Sequence, residues 1–300
     1  MSYTVQCCKQ TLLLLTHKVD HNGVAVKVVG IDFTSCPRPQ KPITRLTCIF
    51  EADVLSACGL SRLLCLQEFE DALSMPGPWI AGIDFPFGQS RRLIENMRWP
   101  PTWDGYVKFA SALGRDGFCK ALDAYREQRP EGDKEHRRAT DKAAGALSPQ
   151  KLYGVPVGKM FFEGAQRLIK SGVAVPHLQI GDPTRIVVEA YPGALAKKFI
   201  GAQPYKNDSK KKQTFNQYAS RRNLLRQLTS AYLPDYGLSV VADKSLAEDP
   251  TGDELDALLC AIQAAWAWKQ RDNGFGAPND VDAIEGWIAD PTCRQNHEAQ

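Results

Sequence analysis

The sequence repeats one tetrapeptide, and each copy follows a run of apolar residues. GIDF occupies residues 30–33 after VAVKVV and residues 82–85 after PWIA. An apolar run of this length, bounded by turn residues, is typical of a buried strand. Each strand would deliver one aspartate, Asp32 or Asp84, at its carboxyl end. Because an ionised carboxylate is costly to bury without a partner, two of them at equivalent strand ends predict a shared acidic site.

Two later segments carry further candidate acidic residues. Glu189 lies in TRIVVEAYP, which has strand character, and Asp253 and Asp256 lie in TGDELDALLCA. Their spacing places the two aspartates on one face of a helix, near its amino terminus, where the helix dipole favours negative charge. Acidic residues are also common in first helical turns, so a purely local role is the alternative for this pair.

Carboxylates from separate elements suit a hard divalent cation. Mg²⁺ and Mn²⁺ prefer oxygen ligands, and two such ions about 4 Å apart can support phosphodiester cleavage. We therefore expect the carboxylates of Asp32, Asp84 and Asp256 to converge. The candidate metal ligands are Asp32, Asp84, Asp253 and Asp256, and the candidate catalytic residues are Asp32, Asp84, Glu189 and Asp256.

Length and composition are those of a globular protein. The chain has 300 residues, of which 43% are hydrophobic and 24% charged, so it can bury a substantial core. No apolar run approaches a membrane span, and LLLL at 12–15 is too short for a secretion signal, which predicts a cytoplasmic protein without a membrane partner. The nine cysteines include no CxxC pair and the five histidines show no ligand spacing. Neither a disulfide scaffold nor a zinc site is expected.

Charge is distributed unevenly along the chain. Residues 91–230 hold 26 Lys and Arg against 13 Asp and Glu, whereas the remainder holds 11 against 21. A basic middle beside acidic strand ends predicts a polyanionic partner, nucleic acid, held over a metal site. The alternative is a solvated helical surface that happens to be basic. We expect Arg137, Arg138 and Lys142 to lie on a mobile loop within about residues 130–150 and to contact phosphates.

The order of elements predicts an α/β fold with one mixed sheet flanked by helices. Residues 1–23 show no clear periodicity and are expected to be peripheral, and residues 24–290 are expected to form a single domain. A basic helical insertion at about 90–183 separates the core strands. Strands are expected over 24–34, 43–50, 61–65, 79–85 and 184–191.

A late helix is predicted from Asp253 to about residue 270. Thr251 and Glu254 match a capping box at its start. After its first turn the segment is nearly all apolar, so we expect this helix to be buried against the sheet.

Six segments between about residues 30 and 270 resemble, in the same order, a family of predicted nucleases of the ribonuclease H-like superfamily. They are GIDFTSCPRPQKPI, WIAGIDFPFG, RWPPTW, PVGKMFFEGAQRL, VVEAYPGALAKKFIG and DELDALLCAIQAAW. In that superfamily, acidic residues on the first and fourth strands and on a late helix hold divalent metals. The resemblance implies a ribonuclease H-like mixed sheet, Mg²⁺ or Mn²⁺ as cofactor, and nuclease activity on DNA or RNA.

The resemblance also implies roles for individual residues. Asp32 matches the first-strand aspartate, Asp84 a second strand carboxylate, and Asp256, with Asp253, the late-helix aspartate. Glu189 matches the family's glutamate before Tyr-Pro. Whether Asp84 or Glu189 acts as the second acidic residue stays open.

Motif lysines are candidates for phosphate contacts. Lys41, Lys159 and Lys206 lie within or beside the matched segments, and Arg138 joins them from the basic insertion. The alternative is that they are ordinary surface residues in loops.

Three functions fit these features. The first is a metal-dependent phosphodiesterase acting on nucleic acid. The second is a phosphotransferase of the actin-like kinase type, which would need a second copy of the fold and a Gly-rich phosphate loop that the sequence does not display. The third is a non-catalytic binder of nucleic acid or nucleotide, for which four retained acidic positions would be a stability cost without a use.

Overall fold

The computed structural model describes residues 25–295, in which a mixed seven-stranded sheet lies between two layers of helices. This confirms the predicted α/β class and is consistent with a ribonuclease H-like sheet. The segment 1–23, expected to be peripheral, lies outside the described residues. Among the described helices, none combines the length and the apolar character needed to cross a membrane.

The sheet brings the carboxyl ends of three parallel strands to one edge. The strands are β1 Val26–Asp32, β2 Ile43–Glu51, β3 Val54–Leu63, β4 Trp79–Ile83, β5 Val173–Ala174, β6 Asp182–Glu189 and β7 Ser239–Val241. Their order is β5-β6-β4-β1-β2-β3-β7. β2 is antiparallel to β1 and β3, whereas β1, β4 and β6 run parallel. Ligands of open α/β sheets collect at such an edge.

Helices cover both faces of the sheet. They are α1 Leu66–Leu73, α2 Arg91–Met97, α3 Trp103–Ala112, α4 Gly114–Glu127, α5 Ala139–Ala144, α6 Val157–Ser171, α7 Pro192–Ile200, α8 Phe215–Ser230, α9 Asp253–Lys269 and α10 Pro291–Gln295. One core packs α7, α8 and α9 against the sheet, and the opposite core packs α1 to α4 and α6. The helical insertion lies between β4 and β6 in the sequence, yet these strands pair directly.

Strand alternation decides which side chains face α9. Val28 of β1 belongs to the α9 core, whereas Val29 and Ile31 belong to the opposite core. Because successive side chains in a strand point to opposite faces, Gly30 and Asp32 share the face of Val28. Asp32 is therefore directed to the side of the sheet that α9 covers.

The third strand is longer than the sequence predicts. We expected a strand over 61–65, but β3 spans Val54–Leu63 and forms a hairpin with β2. The turn between them places Ala52 and Asp53 at positive φ, 47° and 61°. Such turns are usually signalled by Gly or Asn. Their absence from this turn is why sequence periodicity missed the start of β3.

The exposed position expected for Arg138 is wrong. Arg138 is only 1% exposed and lies at the N-cap of α5, a short helix within the segment expected to be a loop. Arg137 and Lys142 are exposed, as expected. The sequence is locally polar here, but tertiary contacts bury Thr140 and Asp141 together with Arg138.

Helix α9 is buried as predicted, but its cap differs. The N-cap is Gly252, with φ of 78°, rather than Thr251. The Thr251 hydroxyl donates to Asp249, and the Glu254 backbone N–H also donates to the Asp249 carboxylate, at 3.2 Å. The predicted capping box is therefore wrong, because the Asp249 carboxylate, rather than the Thr251 hydroxyl, accepts the hydrogen bond from the Glu254 N–H.

Candidate active site

The two copies of the tetrapeptide lie side by side in the sheet. β1 and β4 pair in parallel with Gly30 opposite Gly82 and Ile31 opposite Ile83. The backbone N–H of Asp84 donates to the carbonyl of Ile31 at 3.0 Å. The repeat thus places Asp32 and Asp84 at the matching ends of adjacent strands.

The glycines of the repeat let α9 lie directly on the sheet. A Cβ atom at Gly30 would lie 1.8 Å from the carbonyl oxygen of Ala257, and one at Gly82 would lie 2.3 Å from that of Cys260. No side chain fits at either position without moving the helix. This role of the glycines was not predicted from the sequence, although their recurrence at the same position of both copies was a signal.

This packing assembles what we call the acidic cluster: Asp32, Asp84, Asp253 and Asp256. Three of its members are buried and Asp84 is partly buried. Burial raises the pKa of Asp32 well above its usual range, and the charges of Asp253, Asp256 and Asp84 add to the rise. Burial also raises the pKa of Asp84 to about 7, with Lys206 opposing and Asp256 adding to the shift. These mutual charge effects place the four carboxylates near one another.

Most of the acidic cluster lacks hydrogen-bond donors from the protein. Within residues 25–295, no protein group donates a hydrogen bond to the side chains of Asp32, Asp84 or Asp253. Asp256 alone is partnered: the Tyr205 hydroxyl donates to it at 2.7 Å, and the Lys206 ammonium forms an ion pair with it. Lys206 thus supplies one ammonium group among four carboxylates, and the charge of Lys41 also acts on Asp253.

The side chains of the acidic cluster offer the type of ligand atom that Mg²⁺ and Mn²⁺ bind. All its side chains offer carboxylate oxygens, the ligands that hard cations prefer, and three are free of protein donors. The arrangement is not a preformed metal site, because no group of three or more His, Cys, Asp or Glu side chains in the described part of the chain has metal-binding geometry. Lys206 lies among the carboxylates and supplies the positive charge there.

Glu189 is committed to a different, fully paired network, which we call the Arg138 network: Arg138, Asp141 and Glu189. Arg138 donates Nη1 to Glu189 Oε2 at 2.8 Å and Nη2 to Asp141 Oδ1 at 2.7 Å. The backbone N–H of Phe87 donates to the same Glu189 oxygen at 2.8 Å. This pairing was not predicted: Arg138, expected to contact phosphates, donates hydrogen bonds to two carboxylates of the protein.

The other two candidate phosphate-binding lysines differ in position. Lys41 forms an ion pair with Asp208 at 2.7 Å. Burial raises the pKa of Asp253, and the nearby charge of Lys41 opposes that rise, which places Lys41 at the border of the acidic cluster. Lys159 lies on α6, near the thiol of Cys119.

A cavity opens beside the acidic cluster. Its volume is about 340 Å³, and its charged lining combines Asp84, Asp256 and Lys206 with the Arg138 network. Its apolar lining includes Leu147 and Val155. A group bound here would touch carboxylates, an ammonium and apolar surface at once.

The chain belongs to a family of proteins of unknown function, DUF429, whose model matches residues 30–282. The match includes every member of the acidic cluster and of the Arg138 network. Neither the curated proteins nor the solved structures include a match to this chain.

Proposed function

We propose that the protein is a metal-dependent phosphodiesterase that acts on nucleic acid. The observation that carries this proposal is the acidic cluster, in which three carboxylates from β1, the end of β4 and α9 meet without protein hydrogen-bond donors. Buried carboxylates of this kind are expected to hold cations. The resemblance to ribonuclease H-like nucleases supports the same conclusion, since it implies acidic residues on a first strand, a fourth strand and a late helix.

The residues of the acidic cluster have distinct proposed roles. Asp32 and Asp84 would hold a divalent ion together with Asp253 and Asp256. Asp84, rather than Glu189, is the better candidate for the second acidic residue, because Glu189 already accepts hydrogen bonds from Arg138 and Phe87. When bound, Mg²⁺ or Mn²⁺ would supply positive charge to polarise the phosphodiester.

Lys206 has a proposed role of its own. Its ammonium pairs with Asp256, and its charge opposes the raised pKa of both Asp32 and Asp84. It therefore neutralises part of the acidic cluster in the metal-free protein. With a divalent ion in place, the same ammonium is free to orient a substrate phosphate at the mouth of the cavity.

The basic surface supports a polyanionic substrate. Residues 209–230 contain no acidic residue, and their exposed basic side chains are Lys211, Lys212, Arg222 and Arg226. This stretch is tied to the acidic cluster, because Gln217 of α8 donates to the carbonyl oxygen of Lys206 at 3.2 Å. Lys and Arg along such a surface attract the phosphates of nucleic acid.

Metal binding is the first test of the proposal. We expect calorimetric titration with Mn²⁺ to show binding to the wild-type protein and a loss of affinity of about tenfold or more in Asp84→Asn. Asp104→Asn is the matched control, because Asp104 is an exposed carboxylate in a surface ion pair with Lys108. Equal Mn²⁺ affinity in Asp84→Asn and wild type would refute the site.

Substrate binding is the second test. With Ca²⁺ in place of Mg²⁺ to suppress cleavage, affinity for short oligonucleotides should fall steeply with added salt, because phosphate contacts release counterions. Protection by ATP, and not by oligonucleotides, would instead indicate a phosphotransferase. Salt-dependent binding without any cleavage in Mg²⁺ or Mn²⁺ would indicate a non-catalytic binder.

A further inference from the structure

The cavity beside the acidic cluster has two chemically different walls. The charged residues of its lining, which we call the charged wall, are Asp84, Arg138, Asp141, Glu189, Lys206 and Asp256. The apolar residues, which we call the apolar wall, include Val157 and Met160 from the first turn of α6. The volume of about 340 Å³ is at the lower end of sites that hold small molecules, about 300–1,000 Å³. A ligand that satisfies both walls has an anionic or metal-bound end and a compact apolar end.

The apolar wall continues to the protein surface. Leu147 is 42% exposed and Val155 is 57% exposed, and both line the cavity. Single exposed apolar residues are ordinary, but here they extend a cavity that already contacts the acidic cluster. They offer apolar contact area to a ligand from outside the protein.

Tyr191 supplies a polar group inside the cavity. Its side chain lines the cavity, and within residues 25–295 no hydrogen bond to its hydroxyl is seen. The ring is held against Gly193, where a Cβ atom would lie 2.8 Å from the Tyr191 hydroxyl oxygen. An aromatic ring with a free hydroxyl, next to apolar side chains, suits a flat heterocycle that has hydrogen-bonding edges.

A second surface has the side chains expected of a site for single-stranded nucleic acid. Phe215, at the first position of α8, is 79% exposed, and its ring lies 6.1 Å from that of Tyr218. The guanidinium of Arg222 lies over the Tyr218 ring at 5.7 Å. Exposed aromatic rings interleaved with cations are typical of surfaces on which single-stranded bases stack. Helix α8 is joined to the Lys206 segment by the hydrogen bond from Gln217 to the Lys206 carbonyl oxygen, and Lys206 lines the cavity.

We propose that the cavity holds the base of one unpaired nucleotide, with its phosphate at the Lys206 end, so that the substrate is single-stranded nucleic acid. This inference rests on the proposed phosphodiesterase function and specifies its substrate. A base within a duplex is stacked and paired and cannot enter a cavity of this size without being extruded, at a cost of a few kcal/mol. A single strand avoids that cost.

The test compares ligands with and without a base. In Ca²⁺, we expect the wild-type protein to bind a nucleoside 5′-monophosphate at least about tenfold more tightly than ribose 5-phosphate, and a short single strand at least about tenfold more tightly than the corresponding duplex. Val155→Asp should weaken binding of the nucleoside monophosphate about tenfold and leave that of ribose 5-phosphate unchanged. Ile180→Asp is the matched control, because Ile180 is fully exposed and does not line the cavity.

The possible failures are distinguishable. Equal affinity for the two phosphates, no binding of the nucleoside monophosphate, an effect of Val155→Asp no larger than that of Ile180→Asp, or preference for the duplex would each overturn this inference. If Asp84→Asn still loses Mn²⁺ affinity in those cases, the proposed metal site stands without the base-binding cavity. Unchanged Mn²⁺ affinity in Asp84→Asn would refute the proposed function itself.

Discussion

Two groups of acidic side chains lie at the carboxyl edge of the same sheet, and they are partnered in opposite ways. In the Arg138 network, at the end of β6, one buried guanidinium donates to two carboxylates. In the acidic cluster, at the ends of β1 and β4 and the start of α9, four carboxylates face the ammonium of Lys206, with Lys41 at the border. Both groups are acidic and largely buried, so burial alone does not separate structural charge from functional charge.

The difference lies in what each group requires from outside the protein. The Arg138 network is satisfied internally, and removing one partner would leave buried charge uncompensated. The negative charge of the acidic cluster is only partly balanced by nearby cations, so the folded protein favours protonation or cation binding there. A hypothesis of function follows from the group that is incompletely paired, not from the group with the most contacts.

The largest effect is expected for Arg138→Met. This change leaves Glu189 and Asp141 buried without their cation, and we expect a loss of about 3–5 kcal/mol in the free energy of unfolding. Urea denaturation measures it. Arg137→Met is the matched control, because Arg137 is the exposed neighbour. A loss below about 1 kcal/mol, or recovery of stability by added Mn²⁺, would show that the two groups do not differ as described.

Lys206→Met should have a smaller effect that a cation reverses. The change removes the ion pair to Asp256, but the Tyr205 hydroxyl still donates to that carboxylate. We expect a loss of about 2 kcal/mol in the metal-free protein, measured by urea denaturation with a chelator present. Excess Mn²⁺ should restore most of it, since a divalent ion replaces the missing charge. If Mn²⁺ stabilised Lys206→Met no more than Arg138→Met, the proposed difference between the acidic cluster and the Arg138 network would be wrong.

The acidic cluster should also give the metal-free protein an unusual pH dependence. The pKa of Asp84 is raised from its ordinary 3.8 to about 7, so the folded state binds a proton more tightly than the unfolded state. This contribution to stability is fully present below about pH 3.8 and is lost as pH rises through 7. The free energy of unfolding should therefore rise by about 1 kcal/mol as pH falls from about 8.5 to 6.5.

The range from about pH 8.5 to 6.5 avoids the contribution of His136 to the pH dependence of stability. Burial lowers the pKa of His136 from its ordinary 6.5 to about 4, so His136 reduces stability only as pH falls below about 6.5. Urea denaturation in the presence of a chelator gives the profile. Asp84→Asn should reduce the rise without abolishing it, because burial still raises the pKa of Asp32, and excess Mn²⁺ should also reduce it. A stability that is constant, or falls, from pH 8.5 to 6.5 would be evidence against an only partly balanced negative charge in the acidic cluster.

The smallest effect is expected at the border of the acidic cluster. Lys41 pairs with the exposed Asp208, and exposed ion pairs contribute about 0–1 kcal/mol. Lys41→Met should change the free energy of unfolding by less than about 0.5 kcal/mol but should strengthen Mn²⁺ binding slightly, because a like charge near Asp253 is removed. Lys108→Met, in a surface ion pair with Asp104, is the matched control for calorimetry. Identical Mn²⁺ affinities in Lys41→Met and Lys108→Met would show that the charge of Lys41 does not affect the metal site.

The sequence by itself determined much of the local structure and the identity of the acidic residues. The repeated GIDF predicted two buried strands, each ending in an aspartate, and both are found as β1 and β4. The apolar run after Asp256 predicted a buried helix, which is found as α9. These features follow from local periodicity and from the cost of burying charge, and both can be read along the chain.

Only the tertiary structure decided which charges are paired. Arg138 and Glu189 lie 51 positions apart in the sequence, and Lys206 and Asp256 lie 50 apart. No local pattern encodes such contacts, so Arg138 was misread as exposed, and the pairing of Glu189 with Arg138 could not be foreseen. The close approach of the α9 backbone to Gly30 and Gly82 likewise exists only because α9 folds back onto the sheet. Periodicity reports which face of an element is buried, whereas the chain path through space decides what lies against that face.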